Sequence, residues 1–149
     1  MGRLRVPVAV RWSDMDAFGH VNNVQFLRLM EEVRIRAFEE LRGGGPSLLE
    51  TGVLVARHEV EYLQPMRWRP EPVLVDLWVT RVGGASFDLG YEVADDAGRD
   101  GARAVYLRAA STMVTFDVAT GSTRRVSEAE RAVLQGWLGD PVPFRRRRA

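Results

Sequence analysis

Cysteine and lysine are both absent from the 149 residues, isoleucine occurs once (Ile35), and histidine and asparagine occur twice each. Without cysteine there are no disulfides and no thiolate chemistry. Two histidines, His20 and His58, are a poor basis for a zinc site, so no metal and no cofactor are expected. No apolar run approaches the roughly 20 residues of a membrane-spanning helix. Arg3, Arg5 and Arg11 alternate near the N-terminus without the apolar core of a signal peptide, and a cytoplasmic protein is expected. Neither sign of charge dominates: 21 basic residues stand against 20 acidic ones, a net charge of +1. Nucleic acid and membrane surfaces are therefore not the expected partners.

What is present describes an ordinary globular domain. A 46% hydrophobic and 28% charged composition fits a single folded unit over residues 1–149, with enough material for a core. The two asparagines are adjacent, Asn22 and Asn23, at the start of a long amphipathic run. Leu27, Met30, Val33, Ala37, Phe38 and Leu41 recur at helical spacing, while Arg28, Glu32, Arg36 and Glu40 step by four along the opposite face. Either asparagine can cap this helix, and Gly43-Gly44-Gly45-Pro46 stops it. About 20 helical residues would span roughly 30 Å, the diameter of a small domain, so the rest of the fold must be built against it.

The residues before that helix carry chemistry. Asp14 and Asp16 are two carboxylates, and His20 follows on a loop hinged by Gly19. A helix N-terminus presents unpaired N–H groups and the positive end of a dipole, which suits a polarised carbonyl oxygen. A carboxylate facing it would be half of an acyl-transfer site, with an electrophile held between them. Asp16 can also be read as a turn aspartate bonding its own backbone, and Asn23 as a plain cap.

Strand patterns account for most of the remainder. Leu4 to Trp12 alternates, with Pro7 arguing for an edge position or a bulge. Leu54–Leu63, Val73–Val82, Phe87–Val93 and Ala102–Asp117 follow, with turns at Gly83-Gly84 and Asp95-Asp96-Ala97-Gly98. The last three, joined by short turns, must be antiparallel neighbours. Ser127-Glu128-Ala129-Glu130 has a capping-box pattern and opens a short helix over 127–138. A basic tail occupies 145–149. The expected fold class is α+β, with an antiparallel sheet wrapped around one long central helix.

The stretch Asp14-Met15-Asp16-Ala17-Phe18-Gly19-His20-Val21-Asn22-Asn23, followed by Phe26-Leu27-Arg28 and Glu31 to Arg34, resembles the signature of hotdog-fold acyl-CoA thioesterases of the 4-hydroxybenzoyl-CoA thioesterase-like family. Weaker similarity continues through Arg57–Pro65 and Gly83–Phe87. After Pro65 the chain departs from the family's Gly-Asp turn with Arg67-Trp68-Arg69-Pro70-Glu71-Pro72. The resemblance implies hydrolysis of an acyl-CoA to a carboxylic acid and free CoA by a homodimer or homotetramer with sites between subunits. It implies Asp16 as nucleophile or general base, the Asn23 N–H as donor to the thioester oxygen, and His20 as an orienting group. Gly19 and Asn22 would shape or contact the substrate site, and Arg67, Arg69 and Arg81 are candidates for the CoA phosphates. Asp14 is expected to organise the loop, and Glu31 with Arg34 to form an intrahelical ion pair. An acyl-carrier-protein thioesterase and a non-catalytic acyl-binding protein are the alternatives.

Overall fold

The structure, a computed structural model, describes residues 2–96 and 101–145. Five strands, β1 (Leu4–Val8), β2 (Val53–Tyr62), β3 (Val73–Val82), β4 (Ser86–Ala94) and β5 (Val105–Thr115), form one antiparallel sheet in the order β1-β3-β4-β5-β2. Three helices accompany it: α1 (Asn23–Glu40), α2 (Leu48–Thr51) and α3 (Glu128–Gly136). Among the described residues no helix is long and apolar enough to cross a membrane.

The core lies between α1 and one face of the sheet. Val73, Val75, Leu77 and Val79 of β3, Phe87, Leu89, Tyr91 and Val93 of β4, and Leu107, Ala109 and Met113 of β5 are buried at alternating positions, as the pleat requires. Against them α1 buries Phe26, Leu29, Met30, Val33, Ala37 and Phe38. Phe38 meets Phe87 edge-to-face at 6.3 Å. The stripe is wider than the expected one: Phe26 and Leu29 join it, and Leu27 is only half-buried. Glu32 pairs with Arg36 at 2.6 Å and with Arg28 at 3.6 Å on the solvent side. Val24 and Ile35 remain exposed. The sheet of one chain thus lies against one side of the helix and does not enclose it.

Several boundaries differ from the expectation for local reasons. β1 stops at Val8, because Arg11 to Asp14 fold into a tight turn with Asp14 N–H donating to Arg11 O at 3.0 Å. Trp12 consequently leaves the strand and is 71% exposed. β5 is Val105–Thr115, shorter than the expected Ala102–Asp117, and α3 ends at Gly136. Ala97 and Gly98 of the expected turn, and Arg146 to Arg148 of the basic tail, lie outside the described residues.

On the opposite face of the sheet, the chain after α3 crosses as a strap. Gly139 N–H donates to Val79 O at 2.8 Å, and Asp140 O accepts from the Trp78 indole at 2.8 Å. The strap reaches the far edge, where Arg145 N–H meets Glu61 Oε2 at 3.0 Å. Gly90 makes room beneath it, since a Cβ there would stand 2.7 Å from the Trp78 ring.

Candidate active site

The segment between β1 and α1 is held by Asp14, which is 1% exposed. Its Oδ2 accepts from the Arg11 N–H at 2.8 Å and from Arg28 Nη2 at 2.6 Å, and its Oδ1 from Arg11 Nη2 at 2.8 Å. Burial pushes this carboxyl up, but the Arg11 hydrogen bonds and the Arg28 charge outweigh it and hold it below the usual range. Asp14 O also accepts from the Asn22 N–H at 2.8 Å, which ties the loop closed at its base.

Above that base the chain doubles back. Met15 bridges Val21, and Asp16 N–H donates to His20 O at 2.7 Å. The reversal is completed by Gly19 at φ 76°, a left-handed conformation that side-chain-bearing residues resist. Asp16 Oδ1 accepts from the Phe18 and His20 N–H groups at 2.8 and 3.2 Å, so the carboxylate is a turn brace on one oxygen. Its Oδ2 accepts from no protein group among the described residues. Phe18, at the tip, is 86% exposed.

The helix onset follows directly. Asn22 is the cap, and its side chain accepts from the Val24 N–H at 3.2 Å. Asn23 is the first helical residue, and its own N–H has no acceptor among the described residues. Its carbonyl accepts from the Tyr62 hydroxyl at 2.8 Å, which pins the helix onset to the end of β2. Phe26 packs edge-on to the Tyr62 ring at 5.8 Å. Burial raises the Tyr62 phenol above its ordinary value, which keeps it a donor.

These elements enclose a groove of about 340 Å³ whose lining includes Asp16, His20, Asn23, Phe26, Tyr62 and Met66. Asp16, His20 and Asn23 are therefore brought together; Gly19 and Asn22 shape the groove without lining it. Arg67 is exposed, next to the groove residue Met66, and has no ion-pair partner among the described residues. Arg69 and Arg81 are placed otherwise. Arg69 is held by Asp95 and by the Tyr106 hydroxyl at 3.1 Å. Arg81 grips Asp88 with two nitrogens at 2.7 and 3.1 Å. Both guanidiniums are already in use, and neither lines the groove. A larger cavity, about 560 Å³, lies at the other end of α1 and contains none of these residues. Among the described residues no three His, Asp or Glu side chains are grouped so as to hold a metal ion.

Tyr62, Phe26 and Met66 were not among the expected site residues. Tyr62 sits in the Arg57–Pro65 stretch that carries part of the resemblance, but its reach to the Asn23 carbonyl depends on where the end of β2 lies relative to the start of α1. Arg34, whose side chain is 7% exposed, keeps the expected intrahelical pair with Glu31, at 4.0 Å, and also donates to the Tyr91 hydroxyl at 3.4 Å.

Comparison with known proteins agrees with this geometry. The profile of the Thioesterase-like superfamily matches residues 10–143. A thioesterase from Thermus thermophilus, solved with coenzyme A and zinc, is 32% identical, with a TM-score of 0.73 over 92% of this chain and 95% of that one. A 1,4-dihydroxy-2-naphthoyl-CoA thioesterase from Synechocystis shares the fold at 16% identity, with a TM-score of 0.73 over 90% and 96% of the two chains. The protein YsmA of Bacillus subtilis is 36% identical over 85 residues, which is 56% of either chain. With its profile match over most of its length and its motif loop leading into α1, the chain belongs to the thioesterase-like superfamily of hotdog-fold proteins.

Proposed function

We propose that the protein hydrolyses an acyl-CoA thioester to a carboxylic acid and free CoA in the groove at the α1 N-terminus. One observation carries this reading: Asp16, whose Oδ2 has no protein partner among the described residues, lines the same groove as Asn23, whose backbone N–H likewise has no acceptor among them. The thioester carbonyl oxygen accepts from that N–H, where the helix dipole stabilises the charge that develops on it. Asp16 supplies or activates the attacking oxygen. As base, Asp16 takes a proton from a water that attacks the carbonyl carbon, and the C–S bond breaks as that proton passes to the leaving sulfur. As nucleophile, Asp16 forms an anhydride as the C–S bond breaks, and the thiolate takes a proton from solvent. A water then cleaves the anhydride to the free acid and the restored carboxylate. The Asp16 Oδ1 bonds to Phe18 and His20 hold the carboxylate in place while Oδ2 reacts. His20 orients the substrate or a water. Arg67, beside the groove and without an ion-pair partner among the described residues, meets the phosphates of CoA. The CoA-bound Thermus thermophilus relative supports this choice of carrier.

Asp16→Asn tests the reading. It keeps the size and the Oδ1 acceptor but removes the anion. Free-thiol release from a panel of acyl-CoA and aroyl-CoA substrates is expected to fall by about two to four orders of magnitude. Binding of a non-hydrolysable acyl-CoA analogue should stay within a few-fold of the parent. Full turnover in the variant would remove Asp16 from the chemistry.

A further inference from the structure

The first turn of α1 carries the donor that the reaction needs, and helix ends fray unless something outside the helix holds them. Asn22, the cap, is held by groups close to it in the chain. Its N–H donates to Asp14 O at 2.8 Å, its carbonyl accepts from the Gln25 N–H at 2.9 Å, and its side chain accepts from the Val24 N–H at 3.2 Å. None of these bonds reaches the sheet. That tie comes one residue later, where the Asn23 carbonyl accepts at 2.8 Å from the Tyr62 hydroxyl, 39 residues along the chain. Asn23 therefore sits between two braces, Asp14 on the loop side and Tyr62 on the side of β2. Tyr62 is itself well held. Its ring meets Phe26 edge-to-face at 5.8 Å, and its backbone is in register with Leu107 of β5. The next N–H, of Leu63, donates to Tyr106 O at 2.9 Å. The hydroxyl thus stands on the sheet, and the helix end leans on it.

We propose that Tyr62 is a positioning residue for thioester hydrolysis: its hydroxyl, acting through the Asn23 carbonyl, holds the Asn23 N–H in the direction of the thioester oxygen. The proposal rests on the thioesterase reading of the groove. The N–H and carbonyl of Asn23 flank one Cα, so fixing the carbonyl restricts the rotations that would swing the donor away. An oxyanion donor works only when it is aimed before the charge develops, and a misplacement of about 1 Å removes much of its effect. Without the hydroxyl, the backbone of the first turn is tied only within itself and to its own loop. Tyr62 also lines the groove, so its ring is a wall as well. The two roles separate by chemistry. A wall holds substrate and transition state alike, whereas an aimed donor acts as the charge forms. The hydroxyl should therefore show in kcat and the ring in KM.

The test uses Tyr62→Phe, which keeps the ring and its packing and removes only the hydroxyl. With the thioester that the parent turns over best, kcat is expected to fall about five- to tenfold, the worth of one neutral hydrogen bond, while KM stays within about twofold. Burial keeps the phenol protonated, so the loss should be the same from roughly pH 6 to pH 9. A second readout needs no turnover. Asn22 and Asn23 are the chain's only asparagines, so asparagine labelled at its α-nitrogen isolates their two backbone amides in an NMR spectrum. A non-hydrolysable acyl-CoA analogue should move the Asn23 amide in the parent, and move it clearly less in Tyr62→Phe. An unchanged kcat, or an Asn23 amide that answers the analogue equally in both proteins, would overturn the proposal. A lower melting temperature with unchanged kcat would make the bond structural only. A raised KM at unchanged kcat would overturn it as well, leaving Tyr62 as a wall of the groove. If the parent hydrolyses no thioester, the hydrolase reading falls, and the amide still decides: a response that depends on the hydroxyl keeps the positioning role, and one that does not ends it.

Discussion

Asp14 and Asp16 are two residues apart and do opposite jobs because of what surrounds them. Asp14 is buried and both its oxygens are taken by Arg11 and Arg28, so it is a brace. Asp16 lines the groove and keeps one oxygen without a protein partner among the described residues. Asp14→Asn leaves two guanidiniums without their anion and a buried amide in place of a four-bonded carboxylate. It is expected to cost about 2 kcal/mol, measured by urea unfolding, with the two cations' partial exposure limiting the loss. The pH dependence follows from the same pairing. Asp14 and the equally buried Asp76, held by Arg5 and Arg103, both have carboxyls below the usual range when folded. Each therefore binds its proton less readily folded than unfolded. Their stabilisation is present above the unfolded value of about 4 and is lost as the pH falls through the lower folded value. Urea midpoints taken down through pH 4 should drop in the parent and drop less in Asp14→Asn.

At the scale of elements, caps and local turns decide where the chain changes direction. α3 is opened by a reciprocal capping pair: the Glu130 N–H donates to Ser127 Oγ at 3.1 Å, and Glu130 Oε2 accepts from the Ser127 N–H at 2.9 Å. The same carboxylate is gripped by Arg124 and accepts from the Thr51 hydroxyl, so it also joins α3 to α2. Ser127→Ala removes one of these bonds and should cost about 1 kcal/mol in thermal unfolding. Glu130→Ala, which cuts the carboxylate's bonds to the Ser127 N–H, Arg124 and Thr51 and keeps only the backbone bond to Ser127 Oγ, should cost clearly more. Such local features are legible in sequence: the capping box, the Asn-Asn helix onset, the Gly19 turn and the period-two strands are written in adjacent residues. What is not legible depends on distant partners. Leu4 to Trp12 alternates cleanly, yet the strand stops at Val8 because Asp14 captures Arg11. Arg34 and Glu31 form the ion pair their spacing predicts, but the second partner of Arg34, the Tyr91 hydroxyl 57 residues on, is not written in that spacing. Arg69 and Arg81 look like free cations until the sheet brings Asp95 and Asp88 beside them.

For the whole molecule, the arrangement leaves one side open. β2 is a ten-residue edge strand paired only with β5, and Leu54, Val55 and Tyr62 on it are exposed. A long edge with apolar side chains invites another strand, whereas the opposite edge, β1, is five residues long and carries Pro7. The groove lies at the same open side, since Tyr62, Leu63 and Gln64 line it where β2 ends. We infer that two copies pair through β2, which continues the sheet and closes both grooves between subunits. Light scattering at micromolar concentration should then give at least a dimer mass. The sharper test is dilution. Because the same edge builds the interface and the site, loss of dimer mass and loss of turnover per chain should follow one concentration curve. Leu54→Glu, which places a charge on the edge far from Asp16, should shift that curve to higher protein concentration and leave turnover intact once the dimer is restored. A monomer with undiminished turnover would instead place the whole site within a single chain.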